Sequence, residues 1–313
     1  MDQASTINTV LGTIPITDMG VTLMHEHICV SSEGALLDSR IVDDRADRLA
    51  TAVEKLVAAQ GVGVETIVDA TPIDLNRDAS FIREAAEAAG MNIVCSTGLY
   101  LESHGQPAHF KHMSAQELSD LFVHEITVGI GNTGVQAGVL KCASGVGEIT
   151  AAEAKTMEAI ADAQSKTGVP VITHTSGGMG VEQARILTDN GATPGRVMIG
   201  HVDHKRSSFS YYERILQTGV NMAFDRCGLQ VFLPDTVRAA LIAGLIAAGL
   251  QDRLFLSMDS ASSHIGEPSA LEIGAPEPLV YLMTDFTELL GSYGVGPGTV
   301  RTLLTANPAR LFG

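Results

Sequence analysis

Positive charge is scarce in this 313-residue chain: 20 Lys and Arg stand against 36 Asp and Glu, a formal net charge of −16 at pH 7. That sign repels phosphate backbones and anionic bilayers, which argues against a nucleic-acid or membrane-surface partner. Cysteine is rarer still. Cys29, Cys95, Cys142 and Cys227 lie far apart with no C-x-x-C pair, so neither a disulfide scaffold nor a zinc ribbon is indicated, and a reducing, cytoplasmic setting is expected. Long apolar runs are missing too: the longest, residues 239–250, is about a dozen residues where a membrane span needs about 20. The start, residues 1–10, lacks the basic segment and apolar stretch of a secretory leader.

What is present is core-forming material, with 45% apolar residues and 32 glycines. Short β-type runs alternate with amphipathic helical windows from end to end, the pattern of a parallel sheet with crossover helices. The strand candidates are residues 21–28, 65–71, 92–98, 137–143, 170–175, 197–201, 221–226 and 253–259, each rich in Val, Ile, Leu or Met. Helical windows fall at 45–60, 80–89, 115–128, 151–166, 181–189, 211–217 and 237–248, with Gly90, Gly168 and Gly191 at helix-stop positions. Eight such units without a linker predict an α/β protein with one domain over residues 1–313, a (β/α)8 TIM barrel whose site lies at the C-terminal strand ends. An open dinucleotide-binding sheet is the alternative. No G-x-G-x-x-G follows the first strand, and Gly177-Gly178-Met179-Gly180 comes too late, reading instead as a flexible loop.

Metal-capable side chains sit at five of the eight strand ends. His25 and His27 are spaced i, i+2, which puts both imidazoles on one face of a strand where they can share an ion. Lys141 follows the apolar run 137–140, and an amine pointing into a barrel is costly unless paired or neutral. A neutral lysine can take up carbon dioxide as a bridging carbamate; an ion pair with Glu148 or Asp259, or a Schiff-base role, are the other readings. His174, His201 and Asp259 end three further strands, and Asp259 could bind metal or accept a proton. This N- and O-donor set without thiolate suits Zn, Mn, Co or Fe in a catalytic site. Two ions about 3.5–4 Å apart would acidify a bridging water and polarise a carbonyl or phosphoryl oxygen, which is hydrolytic chemistry. A Schiff-base aldolase and a noncatalytic barrel are the rivals. Glu102, His104, His109 and His112 crowd the loop after the third strand, and exposed loop histidines are usually solvated, so none is assigned as a ligand.

The H-E-H of the first strand, K in V-L-K-C-A, H in V-I-T-H, H in M-I-G-H and D in L-S-M-D resemble the phosphotriesterase family of the amidohydrolase superfamily. The likeness spans nearly the whole chain and includes Phe224-Asp225-Arg226-Cys227-Gly228-Leu229 and the closing Asn307-Pro308-Ala309-Arg310. It implies that His25, His27 and Asp259 hold a buried ion, His174 and His201 an exposed one, and N6-carboxylated Lys141 both. It also implies a homodimer. The F-D-R-C-G-L stretch is most similar to the phosphotriesterase-like lactonases, implying hydrolysis of a lactone such as an N-acyl homoserine lactone, with organophosphate triesters as slower substrates. Phosphotriesterase, phosphodiesterase or carboxylesterase activity is the alternative. By the same likeness Arg226 and Tyr100 meet the substrate and Asp259 moves the proton. Two features depart from the pattern. His204 stands where those lactonases carry an aspartate, which puts it among the substrate-side residues, with Asp203 one position earlier. The tryptophan of their last βα loop has no counterpart, because the chain has none and offers residues 260–278, rich in small and acidic side chains.

Overall fold

Every second side chain of a strand shares a face, and a closed parallel sheet turns one such face into a barrel interior. In the computed structural model, which describes residues 5–31, 34–266 and 276–313, eight strands are arranged in this way. They are β1 (Thr22–Glu26), β2 (Thr66–Asp69), β3 (Asn92–Gly98), β4 (Val139–Ser144), β5 (Val171–Thr175), β6 (Val197–Ile199), β7 (Asn221–Phe224) and β8 (Leu254–Leu256). Each pairs with its sequence neighbour in parallel, in regular register except for one shift between β1 and β2. The seam from β8 back to β1 closes just past the regular strands: the Asp259 amide donates to the His25 carbonyl (3.0 Å), the His27 amide to Ser260 (2.9 Å) and the Ser262 amide to His27 (2.8 Å). A parallel pair of Val30–Ser31 with His264–Ile265 prolongs the seam. The expected (β/α)8 TIM barrel is the fold found.

The lower interior is filled by Met24, Val68, Val94, Val139, Ile172, Met198, Ala223 and Phe255, one from each strand. Ile7, from an N-terminal hairpin of Thr6–Thr9 with Gly12–Pro15, and Leu311 and Phe312 near the C-terminus pack against this plug. The outward strand faces pack on helices Arg45–Gly61, Ala79–Ala89, Ala115–Thr127, Ala151–Thr167, Gly180–Asp189, Phe209–Gln217 and Asp235–Ala247. All lie within two residues of the sequence windows. Local chemistry explains the bounds: Asp44 and Asp78 accept N-terminal amides, Ser114 and Thr150 form capping boxes with Glu117 and Glu153, and Gly90 and Gly168 end their helices in the left-handed region.

Two expectations are corrected. The glycine run at 177–180 is not a flexible loop throughout, because Gly180 opens a helix; a Cβ there would stand 2.8 Å from Tyr211 Oη and 2.9 Å from Ile199 Cγ2, so close packing requires the glycine. The strands ending at Glu26, Ile199, Phe224 and Leu256 stop two or three residues before the apolar runs do, leaving His27, His201, Arg226 and Asp259 just beyond regular pairing. His201 (φ 54°) and Asp259 (φ 52°) are left-handed, and that turn takes the backbone out of the ladder. Residues 1–4, and 267–275 within the last βα loop, lie outside the described residues. Among the described residues no helix is long and apolar enough to cross a membrane, and the four cysteines are buried free thiols.

Candidate metal centre

Strand alternation above the apolar plug places part of the site directly. Lys141 is two residues beyond Val139, His174 two beyond Ile172 and Asp225 two beyond Ala223, so all three share the inner face, while Asp259 follows β8 in a left-handed turn and meets His27 Nε2. His25 and His201 are out of phase with Met24 and Met198, and each needs an irregularity. In β1, Leu23 pairs with Ile67 but Glu26 with Asp69, so one extra residue bulges and His25 joins Met24 inside. At His201 the positive φ does the same work. Gly200, beside it, could carry no Cβ, which would lie 2.1 Å from the Thr173 carbonyl and 2.9 Å from Asp225 Oδ2.

The imidazoles are oriented from behind. Asp225 takes His25 Nδ1 on one oxygen (2.7 Å) and His201 Nδ1 on the other (2.8 Å), while Thr71 Oγ1 meets His27 Nδ1 (2.8 Å). A carboxylate on Nδ1 fixes the proton there and leaves the Nε2 lone pair facing inward, the usual device for a metal-binding histidine. Three Nε2 atoms then converge on Asp259: His27 at 3.2 Å, His25 at 3.7 Å and His201 at 3.6 Å. The His25 and His201 rings stack at 4.6 Å, and the His174 ring lies edge-on to His201 at 4.4 Å. Lys141 Nζ is 2.7 Å from His25 Nε2. His201 Nε2 is buried with no hydrogen-bond partner, an orphan that a cation would satisfy. The groups His25, His27, Asp259 and His25, His201, Asp225 are each close enough to hold an ion. Because both Asp225 oxygens are taken by Nδ1 atoms, its geometry suits orienting rather than coordination.

Electrostatics follow from burial. It lowers the Lys141 pKa to about 8, against the pull of Asp259 and Asp225, and lowers His25 to about 3. Burial would raise Asp259 and Asp225, but His201 and Arg226 around the first, and His201 and His25 around the second, outweigh it and hold both carboxyls down. Tyr100 is pushed up by burial and by Asp259, so its phenol stays protonated. Its Oη lies 3.3 Å from His174 Nδ1.

Arg226 Nε donates to Asp259 Oδ2 (3.0 Å), its Nη1 to His204 Nδ1, and its Cζ stands 4.2 Å over the Phe232 ring. An arginine is only a donor, so His204 Nδ1 must accept, and His204 is a neutral imidazole; burial and Arg226 lower its pKa to about 4. Asp203 does not replace the missing acid at position 204, because it is buried against Arg238 (2.5 Å).

A cleft of about 260 Å³ opens over the centre, lined by His25, His27, Tyr100, Lys141, His174 and Asp259, with an apolar wall of Val30, Pro72, Leu75 and Ala261 and with His104 and His264 among its remaining residues. His109 and His112 lie away from it on the helix Ala108–His112. Sequence reasoning missed Asp225, Thr71, His264 and Glu26. Glu26 accepts from Ser257 Oγ, Met258 N, Ser260 N and Ser260 Oγ at 2.6–2.9 Å, and so shapes the turn that carries Asp259. Alternation from Ala223 would have found Asp225; nothing local marks Thr71.

The phosphotriesterase family model matches residues 5–312. A phosphotriesterase homology protein of Mycobacterium tuberculosis is 33% identical over 98% of this chain and 97% of its own length. An aryldialkylphosphatase of Saccharolobus solfataricus is 33% identical over 94% of this chain and 95% of its own. Among solved structures, a mutant phosphotriesterase-like lactonase of Deinococcus radiodurans superimposes with a TM-score of 0.92 at 36% identity, covering 98% of this chain and 100% of that one.

Proposed function

This chain belongs to the phosphotriesterase family and is a hydrolase of ester bonds, and from that premise we propose that it is a lactonase with slower activity on organophosphate triesters. The observation that carries the reading is the convergence of three Nε2 atoms on Asp259 beside the buried Lys141 amine. His25, His27 and Asp259 would hold one divalent ion, His174 and His201 a second, and carboxylated Lys141 both, the metal being zinc or else cobalt, manganese or iron. When bound, the ions acidify a water and polarise a C=O or P=O oxygen.

The chain's own residues supply the rest. The neutral Lys141 amine forms an N–C bond to carbon dioxide and releases a proton, and its lowered pKa of about 8 favours that neutral form. Asp259, kept ionised, accepts the proton of the attacking water and returns it to the departing ring alkoxide. Tyr100 donates its phenolic hydrogen to orient the carbonyl. Arg226, held by Asp259 and His204, offers its Nη2, which donates to no described residue, to an ester oxygen. His204 completes the substrate side by fixing that guanidinium. The same reading carries a cytoplasmic homodimer, supported by the family likeness and by the four unpaired thiols.

A panel of N-acyl homoserine lactones, γ- and δ-lactones, aryl esters, phosphotriesters and phosphodiesters, assayed on one metal-loaded preparation, tests this. The expected result is the highest kcat/KM on a lactone. A phosphotriester or phosphodiester well ahead of every lactone overturns the lactonase reading.

A further inference from the structure

Behind Arg226 stands a second, wholly buried guanidinium. Arg238, on the helix Asp235–Ala247, donates through Nε to Asp203 Oδ2 (2.5 Å) and through Nη1 to Asp235 Oδ1. The same Asp203 oxygen accepts the Arg226 amide (3.3 Å), and the same Asp235 oxygen accepts the Gly228 amide (3.1 Å). Asp235 Oδ2 takes the Tyr281 hydroxyl (2.9 Å). Gly228 has φ 94°, and a Cβ on it would stand 2.6 Å from Pro276 Cγ and 3.0 Å from Tyr281 Cδ1. One guanidinium therefore ties both ends of the turn 226–228 to the chain that returns from the last βα loop.

We propose that Arg238 is a positioning residue that sets where Arg226 stands, and that Tyr281 links the returning chain to that position. This rests on the role given to Arg226 in the lactonase reading. Stability is a poor explanation for the cluster. Desolvating three charges offsets most of their attraction, and apolar replacements of buried ion groups are often neutral or stabilising. Asp203 Oδ1 and Arg238 Nη2 are moreover buried without partners. The geometric role is direct, because the Arg226 side chain must span from its tethered amide to Asp259 Oδ2 at 3.0 Å while resting on Phe232, so a shifted amide pulls Nε off Asp259.

The experiment is a cycle of Tyr281→Phe and Arg226→Ala in the metal-loaded enzyme, with metal content and Tm recorded. Tyr281→Phe removes a single half-buried hydroxyl; it is expected to raise KM for the best lactone about three- to tenfold with kcat and Tm unchanged, and to add nothing once Arg226 is gone. Arg238→Met leaves Asp203 and Asp235 buried without their cation, so it is expected to lower Tm as well as raise KM, and the Tyr281→Phe cycle is the deciding arm. An equal effect of Tyr281→Phe with and without Arg226, or a KM change in Tyr281→Phe that comes only with a fall in Tm, overturns the proposal. If Arg226→Ala leaves kcat/KM unchanged, the substrate role of Arg226 falls; if it is damaging and Tyr281→Phe acts independently, the positioning role alone falls.

Discussion

In the lower half of the barrel each strand contributes one apolar side chain at its regular alternating position, whereas the upper half gathers imidazoles, an amine and carboxylates, two of them brought inward by a bulge or a left-handed residue. The same eight strands thus carry a layer that needs only volume and patterning, and a layer that needs individual atoms in place. The register shift in β1 and the left-handed His201 belong to the functional layer because regular pairing cannot point Met24 and His25, or Met198 and His201, to the same side. The orienting groups belong to the upper layer as well: Asp225 meets two Nδ1 atoms, and Glu26 takes four donors around the Asp259 turn.

If the two layers divide labour in this way, substitutions should separate metal chemistry from stability. The largest effect is expected at Lys141. Lys141→Ala should lose metal and about a thousandfold or more in kcat/KM, the scale of a disabled metal centre. Bicarbonate with short carboxylic acids should partly restore both in that variant, but not in Lys141→Arg. Next, Asp225→Asn removes a charged acceptor from two histidines and should weaken metal binding about 10–100-fold in a chelator competition. A normal affinity would show that the ring orientation is set elsewhere.

A smaller effect is expected from pH. The Lys141 pKa is lowered from 10.5 to about 8, so the reactive neutral amine gains population as pH rises through that value. Reconstitution of metal-free protein with metal, at a fixed concentration of dissolved carbon dioxide rather than of bicarbonate, should therefore run about tenfold faster at pH 9 than at pH 7. A pH-independent rate would contradict carbamate formation as the limiting step. The smallest effect on the site is expected from the lower layer: Met198→Ala should cost about 2–5 kcal/mol in urea denaturation while leaving metal content and kcat unchanged.

The same division explains how much was legible in the sequence. Periodicity located strands and helices, because burial on one face repeats every two or about 3.6 residues. Lys141 and His174 continue the inward alternation of their strands, and Asp259 ends the last apolar run, so their convergence could be read from spacing. His25 and His201 reach the centre through a bulge and a positive φ, which no local pattern announces; it was their places at strand ends, the face where a barrel builds its site, that put them in the candidate set. Glu26 sits inside the H-E-H motif and was passed over, since its partners Ser257, Met258 and Ser260 are more than 230 residues away. His204 was noticed as a departure, but that its Nδ1 accepts from Arg226 while Asp203 turns to Arg238 is a tertiary fact.

The most direct test of a binuclear upper layer is elemental analysis of the purified chain beside its Lys141→Ala and Met198→Ala variants. The account predicts about two divalent ions per chain in the parent and in Met198→Ala, and loss of both in Lys141→Ala. A fully active parent holding one ion or none, or a Lys141→Ala variant that retains two, would contradict it.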